Sequence, residues 1–235
     1  IFKFWTFIKG LIFLFKMQKK TKIWLSLLAV IILIIIISVI VNIANPDDLE
    51  VIETGTIQDP FLGPADSKIV VIEYSDFQCP FCGAVAGTNE YLIERLKQSN
   101  PSWIAPVPKL KELAKLGKIK YIFKDYPLPS HQFALKSAIA AQCAHEQNKF
   151  WEYHDLLFEN QEELSVKDLK KYAADLNLDT TKFDSCLDNN KYKLDIQKDQ
   201  SAGSSLGVDG TPTFFINGKK ISGAESFSAF EPLLK

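Results

Sequence analysis

The chain is short of residue types that common binding sites need. Arg95 is its only arginine, and its 27 basic residues nearly balance 28 acidic ones over 235 residues. Planar, bidentate phosphate recognition depends on arginine, and general attraction to nucleic acid depends on excess positive charge. The sequence therefore indicates neither a nucleic-acid partner nor a phosphate-binding site.

Histidine and cysteine are also scarce, with three and four residues. A zinc ribbon needs two close cysteine pairs, but only one such pair occurs, because Cys143 and Cys186 lie far apart in the sequence. No histidine pair has ligand spacing either. We therefore predict no metal and no organic cofactor. Two interpretations without redox chemistry remain open for the one close cysteine pair: it could be half of a zinc site or a purely structural disulfide.

A long apolar run near the N-terminus predicts a membrane anchor. Ile23–Ile43 carries no charge, and as a helix it would reach about 31 Å, enough to cross the hydrocarbon core of a bilayer. The run exceeds the apolar core of a cleavable signal, and its exit around Ala44 fits a cleavage site poorly. An uncleaved single-pass helix is favoured, with a cleaved signal as the alternative.

The charges on either side of this run predict its orientation. The four lysines just before it are Lys16, Lys19, Lys20 and Lys22, and the four acidic residues just after it are Asp47, Asp48, Glu50 and Glu53. The excess of lysine places the N-terminus in the cytoplasm and residues 44–235 outside it. We therefore expect localisation in the cell membrane, with the remainder of the chain in a compartment that permits disulfides.

Composition divides the chain into four segments. Because Met17 is the only methionine, we expect translation to start there, with a real apolar segment at Phe2–Phe15 as the alternative. The predicted segments are 1–22, cytoplasmic or untranslated; 23–43, the anchor; 44–67, a linker containing proline and glycine; and 68–235, a domain with a helical insertion at about 130–195.

Cys79-Pro80-Phe81-Cys82 is the most informative motif. It follows residues 68–76, a β-branched run typical of a buried strand, and precedes a run predicted to be helical to about Lys97. Two thiols three positions apart can close a small disulfide ring. The unpaired N–H groups and positive dipole of a helix N-terminus stabilise the thiolate, which is the species that attacks disulfides. The motif therefore favours thiol–disulfide exchange.

The rest of the chain predicts a mixed sheet flanked by helices. A strand–helix–strand half is followed by a long helical stretch, and then by a hairpin and a helix. The predicted elements are a helix at 109–116, a strand at 119–124, helices through 131–195 and at 192–206, strands at 213–216 and 220–222 around a turn at 217–218, and a helix at 226–234.

Four blocks in this order resemble the DsbA-like thiol–disulfide oxidoreductases of the thioredoxin superfamily. The blocks are residues 59–66, 73–82, 150–155 and 207–218. The resemblance covers about residues 60–235. It implies an enzyme, a protein disulfide oxidoreductase with an α/β thioredoxin fold that is interrupted by a helical subdomain and, in this chain, preceded by a transmembrane helix.

Position by position, the resemblance implies a role for each residue of the site. Cys79 would be the exposed attacking thiol and Cys82 the buried resolving thiol. Pro212 would be a cis-proline facing them, and it would turn the backbone of Thr211 toward a substrate strand. Glu73 would be a buried acid that accepts the proton as Cys82 is released as a thiolate.

Pro80 and Phe81 are expected to contact substrate, and Phe81 marks a departure from the family pattern. The strongly oxidising members carry Pro-His between the cysteines, and the histidine helps to hold the thiolate. Phe81 has no hydrogen-bond donor in its side chain, so we expect a less oxidising couple. Residues 100–108, which look like an addition after the first helix, are a second departure.

The two remaining cysteines are expected to form a structural disulfide. Cys143 and Cys186 both fall on predicted helices of the insertion, and an exported chain with two further cysteines favours a bond between them. The alternative is two unpaired buried cysteines that pack as small apolar residues.

These features predict a monomeric, membrane-anchored dithiol oxidase that introduces disulfides into reduced exported proteins. Turnover would need a membrane redox partner to recharge the cysteine pair. One alternative is a reductase or isomerase with the same fold. The other is a tethered peptide-binding module with an inert disulfide. No catalytic role is assigned to Lys124 or to the histidines at 131, 145 and 154.

Overall fold

A five-stranded mixed sheet organises residues 59–235, which are the residues that the computed structural model describes. The strand order is β1-β3-β2-β4-β5. β2 and β3 are parallel, and every other neighbouring pair is antiparallel. The strands are β1 Phe61–Leu62, β2 Val70–Ser75, β3 Lys120–Asp125, β4 Thr213–Ile216 and β5 Lys219–Ser222.

Eight helices connect and cover these strands in the described residues. They are α1 Pro80–Ala86, α2 Glu90–Ser99, α3 Pro106–Lys115, α4 Ala134–His145, α5 Phe150–Glu159, α6 Val166–Asp175, α7 Thr180–Asp188 and α8 Lys193–Ser205. The first three form the crossover that a parallel β2–β3 pair requires. The others lie between β3 and β4. This is the predicted thioredoxin-like arrangement with a helical insertion.

The predicted anchor at 23–43 and most of the predicted linker lie outside the described residues. Within residues 59–235, no helix combines the length and the apolar character that crossing a bilayer requires.

The single helix predicted from Pro80 to about Lys97 is wrong, because the chain breaks at Gly87. Gly87 adopts a φ of 87°, and its N–H donates to Ala84 O, which ends α1. Asn89 then caps a new helix by accepting a hydrogen bond from the backbone N–H of Leu92.

Two other predicted boundaries also differ. α3 begins at Pro106 rather than Lys109, because proline fits the first turn of a helix, where its missing N–H has no partner to lose. The predicted C-terminal helix over 226–234 is instead two short 3-10 turns, Phe227–Ala229 and Glu231–Leu233. Pro232 cannot donate the hydrogen bond that a continuous helix would need there.

The helical insertion shares a core with the cysteine turn and β3, through Phe77 and Phe123, and carries its own cross-link. A disulfide with an S–S distance of 2.04 Å joins Cys143 on α4 to Cys186 on α7. The last helix, α8, lies within one residue of the predicted bounds of 192–206. It returns to the sheet, where Gly203 lies against Tyr74 and Tyr126.

Candidate active site

Cys79 and Cys82 lie where β2 passes into α1. Cys79 is the N-cap residue of α1, and Pro80 occupies the first helical position. The N–H of Cys79 donates to Asp76 O at 3.0 Å, and Cys79 O accepts from the N–H of Gly83 at 3.1 Å. Neither thiol is in a disulfide, so the structure represents the reduced pair.

The segment that precedes β4 faces this pair. The Sγ of Cys79 lies 3.4 Å from the carbonyl oxygen of Thr211. The Thr211–Pro212 peptide bond is cis. The sheet causes this approach, because β4 pairs with β2 and places Thr213 opposite Tyr74, just before the cysteine turn.

The two thiols differ strongly in acidity. A hydrogen bond from the Cys82 thiol lowers the pKa of Cys79 to about 6, and the backbone N–H groups of Phe81 and Cys82 add to this effect against the opposing effect of burial. Burial and the neighbouring Cys79 raise the pKa of Cys82 well above its usual range. Cys79 is therefore the thiol that ionises, as the helix N-terminus indicated.

The expectation that Cys79 is exposed is wrong. The residue is only 4% exposed, and Cys82 is completely buried. The contact between the Cys79 sulfur and Thr211 helps to explain this, because the Thr211–Pro212 segment closes over the thiol. Phe81, at 46% exposed, is the apolar surface that the motif presents to solvent.

Glu73 lies in the interior on β2, where its side chain is 1% exposed. The phenol of Tyr121, on β3, donates a hydrogen bond to Glu73 Oε2. Burial raises the pKa of Glu73 to about 7, although Tyr121, Ser75 and Lys111 each pull it down. A carboxyl with this pKa can accept or release a proton near neutral pH.

Ser75 connects this carboxyl to the cysteine pair. Because side chains alternate along a strand, Ser75 and Glu73 share one face of β2. The Ser75 hydroxyl lowers the pKa of both Glu73 and Cys82. Within the described residues, its oxygen is buried without a hydrogen-bond partner of normal geometry, so it is available to either group.

Gln161, for which the sequence predicts no role, holds the cysteine turn from the insertion side. Its Nε2 donates to Phe77 O at 2.8 Å and to Cys79 O at 2.9 Å. A Cβ on Gly83 would lie 2.0 Å from Gln161 Oε1, so any larger residue there would displace the Gln161 amide from the cysteine turn. No local pattern marks Gln161, because 82 positions separate it from Cys79.

Asp76 ties the same turn to the chain after β3. Its buried carboxylate accepts hydrogen bonds from the backbone N–H groups of Gln78 and Leu128, both at 2.8 Å. It also lies 2.7 Å from His131 Nδ1. His131 was assigned no role from the sequence, and the structure places it among the groups that fix the turn.

Lys124 is buried rather than solvated. Its Nζ lies 2.5 Å from Asp59 Oδ2 and 3.0 Å from Asp199 Oδ1, and the Lys124 side chain is 4% exposed. This ion-pair cluster joins β3 to α8 and to the segment before β1. Among residues 59–235, no three histidine, cysteine, aspartate or glutamate side chains are arranged to hold a metal ion.

A family model described as Thioredoxin matches residues 103–235, which is more than half of the chain. The chain belongs to the thioredoxin family. The match covers β3, the insertion and the Thr211–Pro212 segment, and it begins after the cysteine motif.

Solved structures share this thioredoxin fold. The thiol-disulfide exchange protein alpha-DsbA2 from Wolbachia pipientis superposes with a TM-score of 0.64 at 21% identity, over 80% of this chain and 92% of that one. BdbD from Bacillus subtilis superposes with a TM-score of 0.62 at 20% identity, over 75% of this chain and 91% of that one.

Curated relatives are much longer proteins. The Na(+)/H(+) antiporter NhaA 3 of Salinispora tropica is 34% identical over 174 residues, which are 73% of this chain but only 24% of the antiporter. The NhaA antiporter of Herminiimonas arsenicoxydans is 27% identical over 71% of this chain and 23% of its own length. This chain thus spans about a quarter of the relatives that it matches.

Proposed function

We propose that this thioredoxin-family domain is a thiol–disulfide oxidoreductase that oxidises dithiols in other proteins. One observation carries the proposal: two free thiols share one turn, with Cys79 capping α1 and Cys82 completely buried, and this placement lowers the pKa of Cys79 to about 6 and raises that of Cys82. At neutral pH, Cys79 is therefore ionised and Cys82 is protonated, which is the division of roles that disulfide exchange needs.

The geometry supports the following reaction. Starting from the oxidised pair, a substrate thiolate attacks Cys79 Sγ, a mixed disulfide forms, and the Cys79–Cys82 bond breaks. Cys82 leaves with the electron pair and takes a proton from Glu73. In this direction Glu73 therefore donates a proton, the reverse of the acceptor role predicted from the sequence. The second substrate thiolate then attacks the substrate sulfur of the mixed disulfide. Cys79 leaves as a stable thiolate and needs no proton.

Substrate contacts are proposed for the surface beside Cys79. Pro80 and Phe81 are exposed, so an apolar side chain of the substrate can pack there. The backbone of Thr211 lies at the sulfur, where an extended substrate could pair with it as an added strand. We therefore assign Pro80, Phe81 and Thr211 to substrate binding and Cys79, Cys82, Glu73 and Pro212 to the reaction.

The cellular setting is part of the same proposal. Residues 23–43 would anchor the chain in the cell membrane and hold the domain outside the cytoplasm as a monomer. Reduced exported proteins would be the substrates, and a membrane redox partner would reoxidise the pair. The Cys143–Cys186 bond supports this setting, because structural disulfides persist in oxidising compartments.

A redox titration of the full chain against glutathione, with a reduced, unfolded model substrate, tests the proposal. The parent protein should form disulfides in the substrate, and Cys79→Ser should not. The matched control is Cys143→Ser/Cys186→Ser, which should keep exchange activity under conditions where it is folded. Activity of Cys79→Ser equal to that of the parent would contradict the proposal and favour an inert peptide-binding module.

The reduction potential decides the direction of exchange. Phe81 supplies no side-chain donor to the Cys79 thiolate, so the couple should be less oxidising than that of DsbA, at about −120 mV. A potential as negative as that of thioredoxin, about −270 mV, would replace the oxidase with a reductase.

A further inference from the structure

The side-chain amide of Gln161 spans the turn that leads into the cysteine pair. Gln161 lies in the connection between α5 and α6, and its Nε2 donates to Phe77 O at 2.8 Å and to Cys79 O at 2.9 Å. The same Cys79 oxygen also accepts the N–H of Gly83 at 3.1 Å. One amide from the insertion thus ties together two backbone carbonyls of the turn, and one of them belongs to Cys79 itself.

The connection that carries Gln161 is itself held on both sides. Asn160 Nδ2 donates to Leu156 O at 2.8 Å, at the end of α5. The hydroxyl of Tyr172, on α6, donates to Glu163 O at 2.8 Å. These bonds fix the backbone before and after Gln161, so its amide is presented to the cysteine turn by a supported part of the insertion.

Gly83, within α1, leaves the space that this amide occupies. A Cβ on Gly83 would lie 2.0 Å from Gln161 Oε1, 2.7 Å from its Cδ and 3.2 Å from its Nε2. Glycine inside a helix costs stability relative to alanine, and here it allows the amide to lie directly against the helix. Contact with Gly83 on one side and two hydrogen bonds on the other define a single position for the amide.

Both donations from Gln161 go to carbonyl oxygens, and neither goes to sulfur. Gln161 therefore fixes the backbone of Cys79, and with it the direction of the Cys79 side chain, without holding the thiolate. Cys82 is completely buried on α1, so its sulfur has little freedom to move. The alignment of the two sulfurs consequently depends on how firmly the Cys79 backbone is held.

We propose that Gln161 is a positioning residue for the redox pair, which keeps Cys79 aligned with Cys82 while the Cys79 sulfur is bonded to a partner thiol. The inference rests on the proposed function and gives the helical insertion a part in the reaction. A bound partner can pull Cys79 towards solvent. A turn that yields would lower the effective concentration of Cys82 at that sulfur, whereas a fixed turn keeps the intramolecular step fast.

The step that depends on this geometry is closure of the Cys79–Cys82 bond. With glutathione as the partner, Cys79 carries it as a mixed disulfide. Cys82 gives up its proton, for which Glu73 is the proposed acceptor, and its sulfur attacks Cys79 Sγ. The Cys79–Cys82 bond forms, the bond to glutathione breaks, and glutathione leaves as a thiolate with the electron pair. This is the first step of the proposed reaction in reverse, so both pass through the same transition state.

Rapid mixing of the reduced full chain with oxidised glutathione tests the proposal. Acid quenching and mass spectrometry separate the reduced, mixed-disulfide and oxidised forms. Formation of the mixed disulfide depends on glutathione concentration and reports attack by Cys79, whereas its decay is first order and reports closure by Cys82. In Gln161→Ala, closure should slow about tenfold, as expected for two ordinary hydrogen bonds, while attack stays within about twofold of the parent.

Gly83→Ala reaches the same contact from the other side. Its Cβ should displace the Gln161 amide and slow closure similarly, although alanine suits a helix better than glycine. In Gln161→Ala the space beside Gly83 is open, so the double variant Gly83→Ala/Gln161→Ala should close no more slowly than Gln161→Ala alone.

Gln200→Ala is the matched control. Gln200 is another half-buried glutamine, and its Nε2 donates to Pro127 O at 2.7 Å, away from the cysteine turn. Its removal should change neither the rate of attack nor the rate of closure.

Hydrogen exchange gives a reading that needs no activity. Because the N–H of Gly83 donates to Cys79 O, loss of the Gln161 amide should loosen this bond. The Gly83 N–H should exchange about tenfold faster in Gln161→Ala than in the parent, and Gln200→Ala should match the parent. Equal protection in Gln161→Ala and the parent would overturn the inference.

The kinetic outcomes distinguish this inference from the proposed function. An active parent with the same closure rate as Gln161→Ala would overturn the inference alone. Equal slowing of attack and closure, additive slowing in the double variant, or slow closure in Gln200→Ala would also overturn it, since each would show general damage to the fold. A parent whose Cys79 does not react with oxidised glutathione would overturn the proposed function, and hydrogen exchange would still judge whether Gln161 holds the turn.

Discussion

The Sγ of Cys79 lies 3.4 Å from the carbonyl oxygen of Thr211, although 132 positions separate the two residues in the sequence. The sheet creates this contact by pairing β4 with β2. A carbonyl oxygen can accept a hydrogen bond from a thiol but offers nothing to a thiolate. The ionised sulfur is therefore held by the Cys82 thiol first, then by the Thr211 side chain and the N–H groups of Cys82 and Phe81.

Removal of the Cys82 thiol should make Cys79 a weaker acid. The hydrogen bond from Cys82 is the largest cause of the low pKa of Cys79, about 6. In Cys82→Ala, the midpoint of Cys79 alkylation against pH should rise by about one unit or more. Alkylation rates give the measurement, and the reduced parent is the reference. A midpoint that stays near 6 would show that the Thr211 side chain and the backbone donors hold the thiolate without Cys82.

Cys79 should contribute more to the stability of the reduced protein as pH rises from 6 towards 9. The Cys79 pKa of about 6 lies below the ordinary thiol value of 9.0, so in this window the unfolded thiol keeps a proton that the folded one has lost. This stabilisation is lost as pH falls through 6. Urea unfolding of the parent and of Cys79→Ser, both reduced, should differ increasingly across the window. Parallel curves would contradict the low pKa.

Glu73 should have the opposite effect on stability. Its pKa is about 7 in the folded protein and 4.5 ordinarily, so the folded state binds the extra proton between these values and stability falls as pH rises through them. At about 1.4 kcal/mol per pKa unit, the loss is about 3 kcal/mol above pH 7. Glu73→Gln should lack this decline in denaturant unfolding. The difference between parent and variant isolates Glu73 from Asp125 and Asp199, whose pKa values are also raised.

The Cys143–Cys186 disulfide should contribute much of the stability of the insertion. It closes a loop of 43 positions, for which the chain-entropy treatment gives about 4 kcal/mol. Cys143→Ser/Cys186→Ser should lower the free energy of unfolding by that order in urea titrations. Cys82→Ala, which leaves this bond intact, is the control. An unchanged midpoint in the double variant would show that helix packing alone holds the insertion.

Gly203→Ala should weaken the packing of α8 on the sheet. A Cβ there would lie 2.8 Å from Tyr74 Cε1 and 2.9 Å from Tyr126 Cε2. Such overpacking costs about 1–3 kcal/mol, although alanine recovers part of this through helix propensity. Gly210→Ala is the matched control, since no atom lies within 4 Å of its Cβ position. Equal melting temperatures for the two variants would contradict the close approach.

Local patterns predicted much of the sheet and the position of the cysteine turn. The strand at 213–216 has the predicted bounds, because a β-branched and aromatic run ends at an Asn-Gly turn. The break between α1 and α2 could have been predicted from the sequence, because Gly87 favours a helix end and Asn89, two residues later, favours a helix start.

Local sequence patterns could not predict the parts of the site that depend on long-range contacts. Gln161 reaches the cysteine turn only because α5 packs beside α1, and His131 meets Asp76 only after the chain leaves β3. Tyr121 reaches Glu73 because the parallel register places β3 beside β2. The burial of Cys79 depends likewise on the Thr211–Pro212 segment arriving from far along the chain.

The two cysteine pairs lie in different parts of the fold, so the disulfide that is proposed to form and break is separate from the structural disulfide. Cys143 and Cys186 cross-link α4 to α7, whereas Cys79 and Cys82 flank a single turn at the start of α1. In the proposed reaction, each round of oxidation and reduction would therefore alter the connectivity of only four consecutive residues. The Cys143–Cys186 disulfide of the helical insertion would stay intact throughout.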